Sequence, residues 1–322
     1  MKTRITEMLG IKYPIICGGM LWLCKPDLCA AISNAGGLGN ITAANYDSGE
    51  ELRAAIRECK AMTDKPFGIN ITLMPSFRIT PETYADFFRV CCEEKVAAIE
   101  VSGAPARDYL PMVHEAGVKI FHKVGSVRHA KNIQKYGYDG IFAAGIEEGG
   151  HPLNDDVTTM VLTPRIVESV DLPVVTTGGI ADGRGLAAAL ALGAEGVMMA
   201  TRFINTVECK VHENIQQEMI KRQEQDTTLI CKSINLQGRA LKNKLVDEVL
   251  AIEAEKENLD RLFPLLTGQK VKDAWNTGNV EDAAFMVGQS IGLINDVVTC
   301  QELLDTMVAD AEAILRRQLE RF

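Results

Sequence analysis

A (β/α)8 barrel joined to a second, smaller and mostly helical domain is the fold class this sequence predicts, and three observations predict it. Eight short apolar segments alternate with helical stretches through the first two thirds of the chain. Those segments lack the apolar–polar alternation of half-exposed strands, which suits a parallel sheet covered on both faces. After Phe203 they stop, and charged, helix-forming sequence takes over. Eight βα repeats in about 200 residues is the pattern of a TIM barrel. An open doubly wound sheet is the competing architecture, but it rarely strings together eight parallel strands.

The elements follow in order. YPIICGG (13–19) reads as a strand ended by glycines, and KPDLCAAISNAGG (25–37) as a helix stopped by a glycine pair. LGNIT (38–42) is strand-like, and SGEELRAAIRECKAMT (48–63) has the apolar spacing of an amphipathic helix. FGINITL (67–73) is strand, PETYADFFRVCCEEK (81–95) helix, AAIEVSG (97–103) strand and PARDYLPMVHEAG (105–117) helix. KIFHKV (119–124) is strand, SVRHAKNIQKYG (126–137) helix and GIFAAG (140–145) strand. VTTMVLTPRIVESV (157–170) is helical, PVVTTGG (173–179) strand, DGRGLAAALALG (182–193) helix and GVMMATR (196–202) the eighth strand. Residues 1–205 and 285–322 are assigned to the barrel and 206–284 to a small helical domain. The last stretch, CQELLDTMVADAEAILRRQLERF, serves as the barrel's closing helix.

Composition narrows the function. With 322 residues, 47% of them hydrophobic, the chain can bury a large core. A net charge of −9 with scattered lysines and arginines argues against a nucleic-acid partner. Met1 leads straight into the charged KTRITE, and no apolar run reaches the roughly 20 residues of a membrane span, so a cytoplasmic protein is expected. The nine cysteines show no paired CxxC spacing and read as reduced, buried thiols rather than a metal site. Cys17 stands apart because it abuts Gly18 and Gly19.

In such a barrel the chemistry sits at the carboxyl ends of the strands. Glycine is concentrated there, as in CGGM (17–20), GIEEGGH (145–151) and TTGG (176–179), which points to backbone brought close to a ligand. Thr177, Gly178 and Gly179 after the seventh strand, with Ala200 and Thr201 after the eighth, offer main-chain N–H groups beside a helix start near Asp182, the makings of a phosphate site. Lys123 is the lysine at a strand end and suits the pyrimidine edge of a flavin; Asn70 and Thr72 offer hydrogen bonds from the third strand. His151 follows Gly149 and Gly150 on the same rim, where an imidazole can exchange a proton with a substrate. His114, His122, His129 and His212 fall within strands or helices or in the helical domain.

Taken in sequence, YPIICGGM, NAGGLG, KPFGINITLMP, GIEEGGH, TTGGIADGRG and GAEGVMMATRF resemble the nitronate monooxygenase family, formerly 2-nitropropane dioxygenases, which includes flavin-dependent enoyl-ACP reductases. INITLMP, FHKVGSVRHA and GGHPLNDDVTTMVLTP are most similar to its NADH:quinone reductase branch. The resemblance implies an FMN-binding barrel with the small domain over the flavin. It implies FMN contacts from Gly19, Met20, Thr72, Lys123, Gly150, Thr177, Gly178, Gly179, Ala200 and Thr201, and a catalytic His151. The family usually has glutamine where this chain has Cys17, which removes an amide from the expected contacts.

These readings lead to an FMN oxidoreductase passing hydride from NADH or NADPH to a quinone or similar conjugated acceptor, acting on small molecules, with a homodimer possible. Nitronate oxidation with O2 is the alternative. Enoyl thioester reduction is a third; it needs a path for a phosphopantetheine arm and a basic patch for a carrier protein, and this acidic sequence shows no such patch, which counts against it. A flavin-binding sensor is the non-enzymatic reading, against which His151 counts. No G-x-G-x-x-G follows a strand, so a nicotinamide would bind transiently in the cleft between barrel and helical domain.

Overall fold

The computed structural model describes residues 1–76, 78–255 and 259–321. Eight parallel strands form one sheet: β1 (Ile15–Cys17), β2 (Gly39–Thr42), β3 (Phe67–Leu73), β4 (Ala98–Gly103), β5 (Lys119–Val124), β6 (Gly140–Ala144), β7 (Val174–Thr177) and β8 (Gly196–Met199). Their order runs β1-β8-β7-β6-β5-β4-β3-β2. A parallel bridge between Ile16 and Leu38 joins the two edges, with Cys17 N donating to Leu38 O at 2.9 Å, so the sheet closes into a (β/α)8 TIM barrel. Helices cover the outside at the predicted places, and the segment 105–117 resolves into a 3-10 turn followed by the short helix Leu110–Glu115.

The strands are buried on both faces, and the inner face has two layers. Ile16, Leu38, Ala98, Phe121, Phe142, Val175 and Met198 fill the lower barrel. Ile5, Leu9 and Ile11 close its bottom from the helix Arg4–Leu9 and the turn after it, an element the strand–helix alternation did not announce. Two residues further along the strands, on the same face, stand Asn40, Asn70, Glu100 and Lys123. They make one half of the upper barrel polar, across β2 to β5.

After β8 the chain leaves the barrel and returns through the helix Cys300–Leu319, which packs beside the helices Pro26–Asn34 and Gly183–Ala191. A Cβ on Gly183 would lie 2.5 Å from Asp310 Cβ and 2.6 Å from Met307 O, so glycine is what lets the two helices touch. Thr299 and Glu302 form a capping box at this helix's start, typically contributing about 1 kcal/mol. The excursion is mostly helical but contains an antiparallel hairpin, β9 (Thr227–Ile230) and β10 (Gly238–Leu241). Strands of four residues hidden among charged sequence leave little pattern to read. The helix expected through LVDEVLAIEAEKENLDRLF is observed over Lys244–Glu253, while residues 256–258 and Phe322 of the expected segments lie outside the described residues. Among the described residues, no helix is long and apolar enough to cross a membrane.

Candidate active site

A cavity of about 550 Å³ opens at the carboxyl ends of the strands, between the barrel and the excursion after β8. All the predicted site residues line it: Gly19 and Met20 after β1, Thr72 on β3, Lys123 on β5, Gly150 and His151 after β6, Thr177 to Gly179 after β7, and Ala200 with Thr201 after β8. A second hollow, about 390 Å³, lies between the helices Lys244–Glu253 and Gly268–Thr277. Its charges mix Lys244 and Lys270 with Glu248, Asp273, Glu281 and Asp282, with no convergent polar set.

The glycines are there because side chains would not fit. A Cβ on Gly19 would meet Asn70 Cγ at 2.2 Å. Gly178 and Gly179 take φ of +101° and +77°, left-handed values costly for other residues. A Cβ on Gly178 would sit 3.0 Å from Gly145 O. Thr201 Oγ1 accepts from Gly288 N at 3.0 Å, which leaves the hydroxyl proton free to donate. The helix start near Asp182, by contrast, is already taken. The Asp182 carboxylate accepts from Arg184 N and Gly185 N, so it occupies the place an anion would fill, and the free main chain of the cradle lies at Gly178–Gly179 and Ala200–Thr201.

The two acids of GIEEGGH divide their work. Glu147 turns outward and accepts from Thr159 N at 2.9 and 3.0 Å and from Thr159 Oγ1, capping the following helix. Glu148 turns inward and takes the Lys123 ammonium at 2.8 Å, and Lys123 Nζ also donates to His151 O at 2.9 Å. The glycines that follow admit the rest of the chain. A Cβ on Gly149 would meet Val287 and Gly288 backbone at 2.6 Å. Gly150, at φ +83°, pairs with Arg239 of β10 through Arg239 N to Gly150 O at 2.7 Å.

The hairpin thereby positions the histidine. His151 Nδ1 lies 3.1 Å from Gln237 O, and because a carbonyl only accepts, Nδ1 carries the proton and Nε2 is the free acceptor in the neutral ring. Gln237 Nε2 donates to Leu153 O at 2.9 Å and Arg239 Nε to Ile146 O at 3.0 Å, fastening both ends of the loop. The ring is exposed to the cavity, although protein crowds it from behind. That desolvation lowers its pKa below 6.5; the Gln237 carbonyl offsets part of the shift and the Lys123 ammonium adds to it. At neutral pH the imidazole is therefore uncharged.

Sequence reasoning passed over three participants. Glu100 is 4% exposed on β4, accepts from Gly19 N at 3.2 Å, and is pushed up to about 7, chiefly by burial. A lone acid inside the apolar run AAIEVSG was the available signal. Glu148 is raised by burial, against the pull of Lys123. Nothing in the sequence pointed to Gln237, which lies 86 residues from the ring it orients. Cys17 does not line the cavity. Its thiol turns into the packing outside the barrel, 3.7 Å from Cys24 Sγ and 3.4 Å from Gly18 O, and the sulfur contact with Cys24, together with burial, keeps it un-ionised. His122, fully buried, is lowered to about 4 by desolvation and packs edge-on against His129 and Tyr138, away from the cavity.

Comparison with known proteins decides the family. The family model described as Nitronate monooxygenase matches residues 2–101 and 77–310. This chain belongs to the nitronate monooxygenase family. Among relatives of this nitronate monooxygenase family member, (3aS,4S,5R,7aS)-5-hydroxy-7a-methyl-1-oxo-octahydro-1H-indene-4-carboxyl-CoA dehydrogenase of Rhodococcus jostii is 34% identical, covering 97% of this chain and 96% of the relative. A Staphylococcus saprophyticus protein described as "Probable nitronate monooxygenase" is 29% identical over 98% of this chain and 99% of its own length. The solved structure of FabK from Thermotoga maritima superposes with a TM-score of 0.92 at 36% identity, covering both chains fully. The protein is thus a flavin-type oxidoreductase.

Proposed function

We infer that the cofactor is FMN and that the protein transfers hydride from NADH or NADPH to a quinone or another flat, conjugated carbonyl compound. The observation that carries this is the division of one cavity into a cradle of small residues at Gly178, Gly179, Ala200 and Thr201, a polar floor at Asn70, Glu100 and Lys123, and one free imidazole nitrogen at His151. The residues present fit FMN. The cradle has room for a phosphate because its glycines carry no Cβ, and Thr42 Oγ1, buried on the cavity wall without a partner, is a polar atom awaiting a ligand. Bound FMN supplies a hydride acceptor and donor at its N5. The chain's own part is to hold the phosphate at the cradle, to keep Lys123 on the floor, and to present His151 Nε2 to the substrate. As a neutral ring, His151 accepts a hydrogen bond or a proton first, and it returns that proton to the substrate as imidazolium.

One feature favours a second reading, a thioester as the conjugated carbonyl. Beside the cavity rim, the Trp22 ring lies 5.3 Å from the Arg78 guanidinium and 4.6 Å from the Lys272 ammonium, and its Nε1 donates to Gly268 O. Two cations around an aromatic face suit the phosphates of a carrier arm, and the Rhodococcus relative is named for a carboxyl-CoA substrate. The test is anaerobic mixing of the FMN-loaded protein with NADH, NADPH or a nitronate, followed by quinone or enoyl thioester, while flavin absorbance near ~450 nm is watched. Bleaching by a nicotinamide and recovery with one acceptor is the expected result and identifies that acceptor. Bleaching by nitronate alone makes the protein a nitronate oxidase, and no bleaching makes it a binder.

A further inference from the structure

The cavity floor holds more acid than hydride transfer requires. Glu100 and Glu148 are 4% and 8% exposed, and the cation whose field reaches both, Lys123, is paired with Glu148. Lys123 is committed to Glu148 at 2.8 Å and to His151 O. Glu100 is left with dipoles: Gly19 N at 3.2 Å, Asn40 Nδ2 at 3.5 Å and the Asn70 amide. The charged groups that bear on it are Lys123 from β5 and Glu148 from the loop after β6; β2, β3 and the segment after β1 face it with Asn40, Asn70 and Gly19. Two buried carboxylates and one cation cannot all be ionised without leaving one negative charge uncompensated. The acid without the ion pair is the one that keeps its proton.

We propose that Glu100 is a positioning residue that exchanges a proton with solvent and thereby sets the net charge that Lys123 and Glu148 present to a ligand on the cavity floor. With Glu100 protonated the floor is neutral; with Glu100 ionised it carries one negative charge. A ligand that develops negative charge there, such as the ring of a reduced flavin, an enolate or a nitronate, favours the protonated floor by Coulomb repulsion of the ionised one. A neutral ligand does not. The exchange forms and breaks one O–H bond and moves no electrons. Naming the flavin as the ligand rests on the proposed function; the exchange itself rests only on the three side chains.

The test is an infrared titration of the full-length protein, with and without FMN, following the C=O stretch of protonated carboxyl groups. In wild type a band is expected to vanish as pH rises through about 7, and Glu100→Gln is expected to lack it. Glu148→Gln frees Lys123 for Glu100 and moves the titration lower by about one pH unit or more, whereas Lys123→Met moves it higher by a similar amount. In the FMN-loaded protein the pH dependence of the midpoint potential is expected to bend across the same range in wild type and to run straight in Glu100→Gln. A band that survives in Glu100→Gln, or a titration that Glu148→Gln leaves in place, overturns the proposal, because an acid in the field of Lys123 and Glu148 must respond when either charge is removed. If the band behaves as expected but the protein takes up no FMN, the cofactor assignment falls and the proton exchange stands.

Discussion

At the scale of single residues, His151 carries the sharpest expectation. Replacing it with alanine removes the imidazole nitrogen that the proposed reaction presents to the substrate and touches no part of the cradle. Turnover with the acceptor is expected to fall roughly 10²- to 10⁴-fold, with FMN affinity changed little, as stopped-flow kinetics and fluorescence titration would measure. Because its pKa is lowered, the limb of the kcat/KM profile that reports imidazole protonation is expected below 6.5. Glu100 gives a stability test. Its folded value of about 7 exceeds the 4.5 of an ordinary glutamate. The stability its proton contributes is therefore complete below about pH 4.5 and is lost as pH rises through about 7. The isosteric Glu100→Gln escapes that loss. Urea unfolding at about pH 5 and about pH 8 is expected to show wild type losing on the order of 3 kcal/mol more than the variant.

At the scale of elements, two contacts decide whether the site is assembled. The first is the pairing of β10 with the histidine loop. Arg239→Ala leaves Ile146 O without its guanidinium partner and Thr227 without a donor, a loss of about 1–3 kcal/mol. Faster amide hydrogen exchange in residues 145–153 is expected, along with reduced turnover at near-normal FMN affinity; unchanged exchange would show that the hairpin does not hold the loop. The second is the approach of the helix Cys300–Leu319 to Gly183. A valine there collides with Asp310 and the Met307 carbonyl, and overpacking of this kind costs about 1–3 kcal/mol, readable as a lower Tm. The elements also show where sequence patterns stopped being informative. The barrel strands and helices were legible because burial on both faces gives unbroken apolar segments between glycine stops, repeated eight times, whereas the hairpin offered two four-residue strands with polar neighbours. The capping role of Glu147 and the ion pair of Glu148 could not be separated by reading EE, since the direction each side chain takes depends on the path of a glycine loop that neither residue determines.

At the scale of the whole molecule, FMN binding and stability are linked, because the cavity draws walls from the barrel and from the excursion after β8. Saturating FMN at about 100 Kd is expected to stabilise the folded state by about 2.7 kcal/mol, raising Tm by several degrees; a Tm indifferent to FMN would contradict the cofactor assignment. The sequence by itself determined the barrel, the family and the residues of one rim, because periodic burial and glycine at strand ends are local properties written in consecutive residues. Only the tertiary structure decided which histidine nitrogen faces the cavity, which acid pairs with Lys123, and that Glu100 stands beneath them unpaired. Those are outcomes of distance between groups as many as 86 residues apart in the chain, and an electrostatic environment exists only once the chain has folded around it.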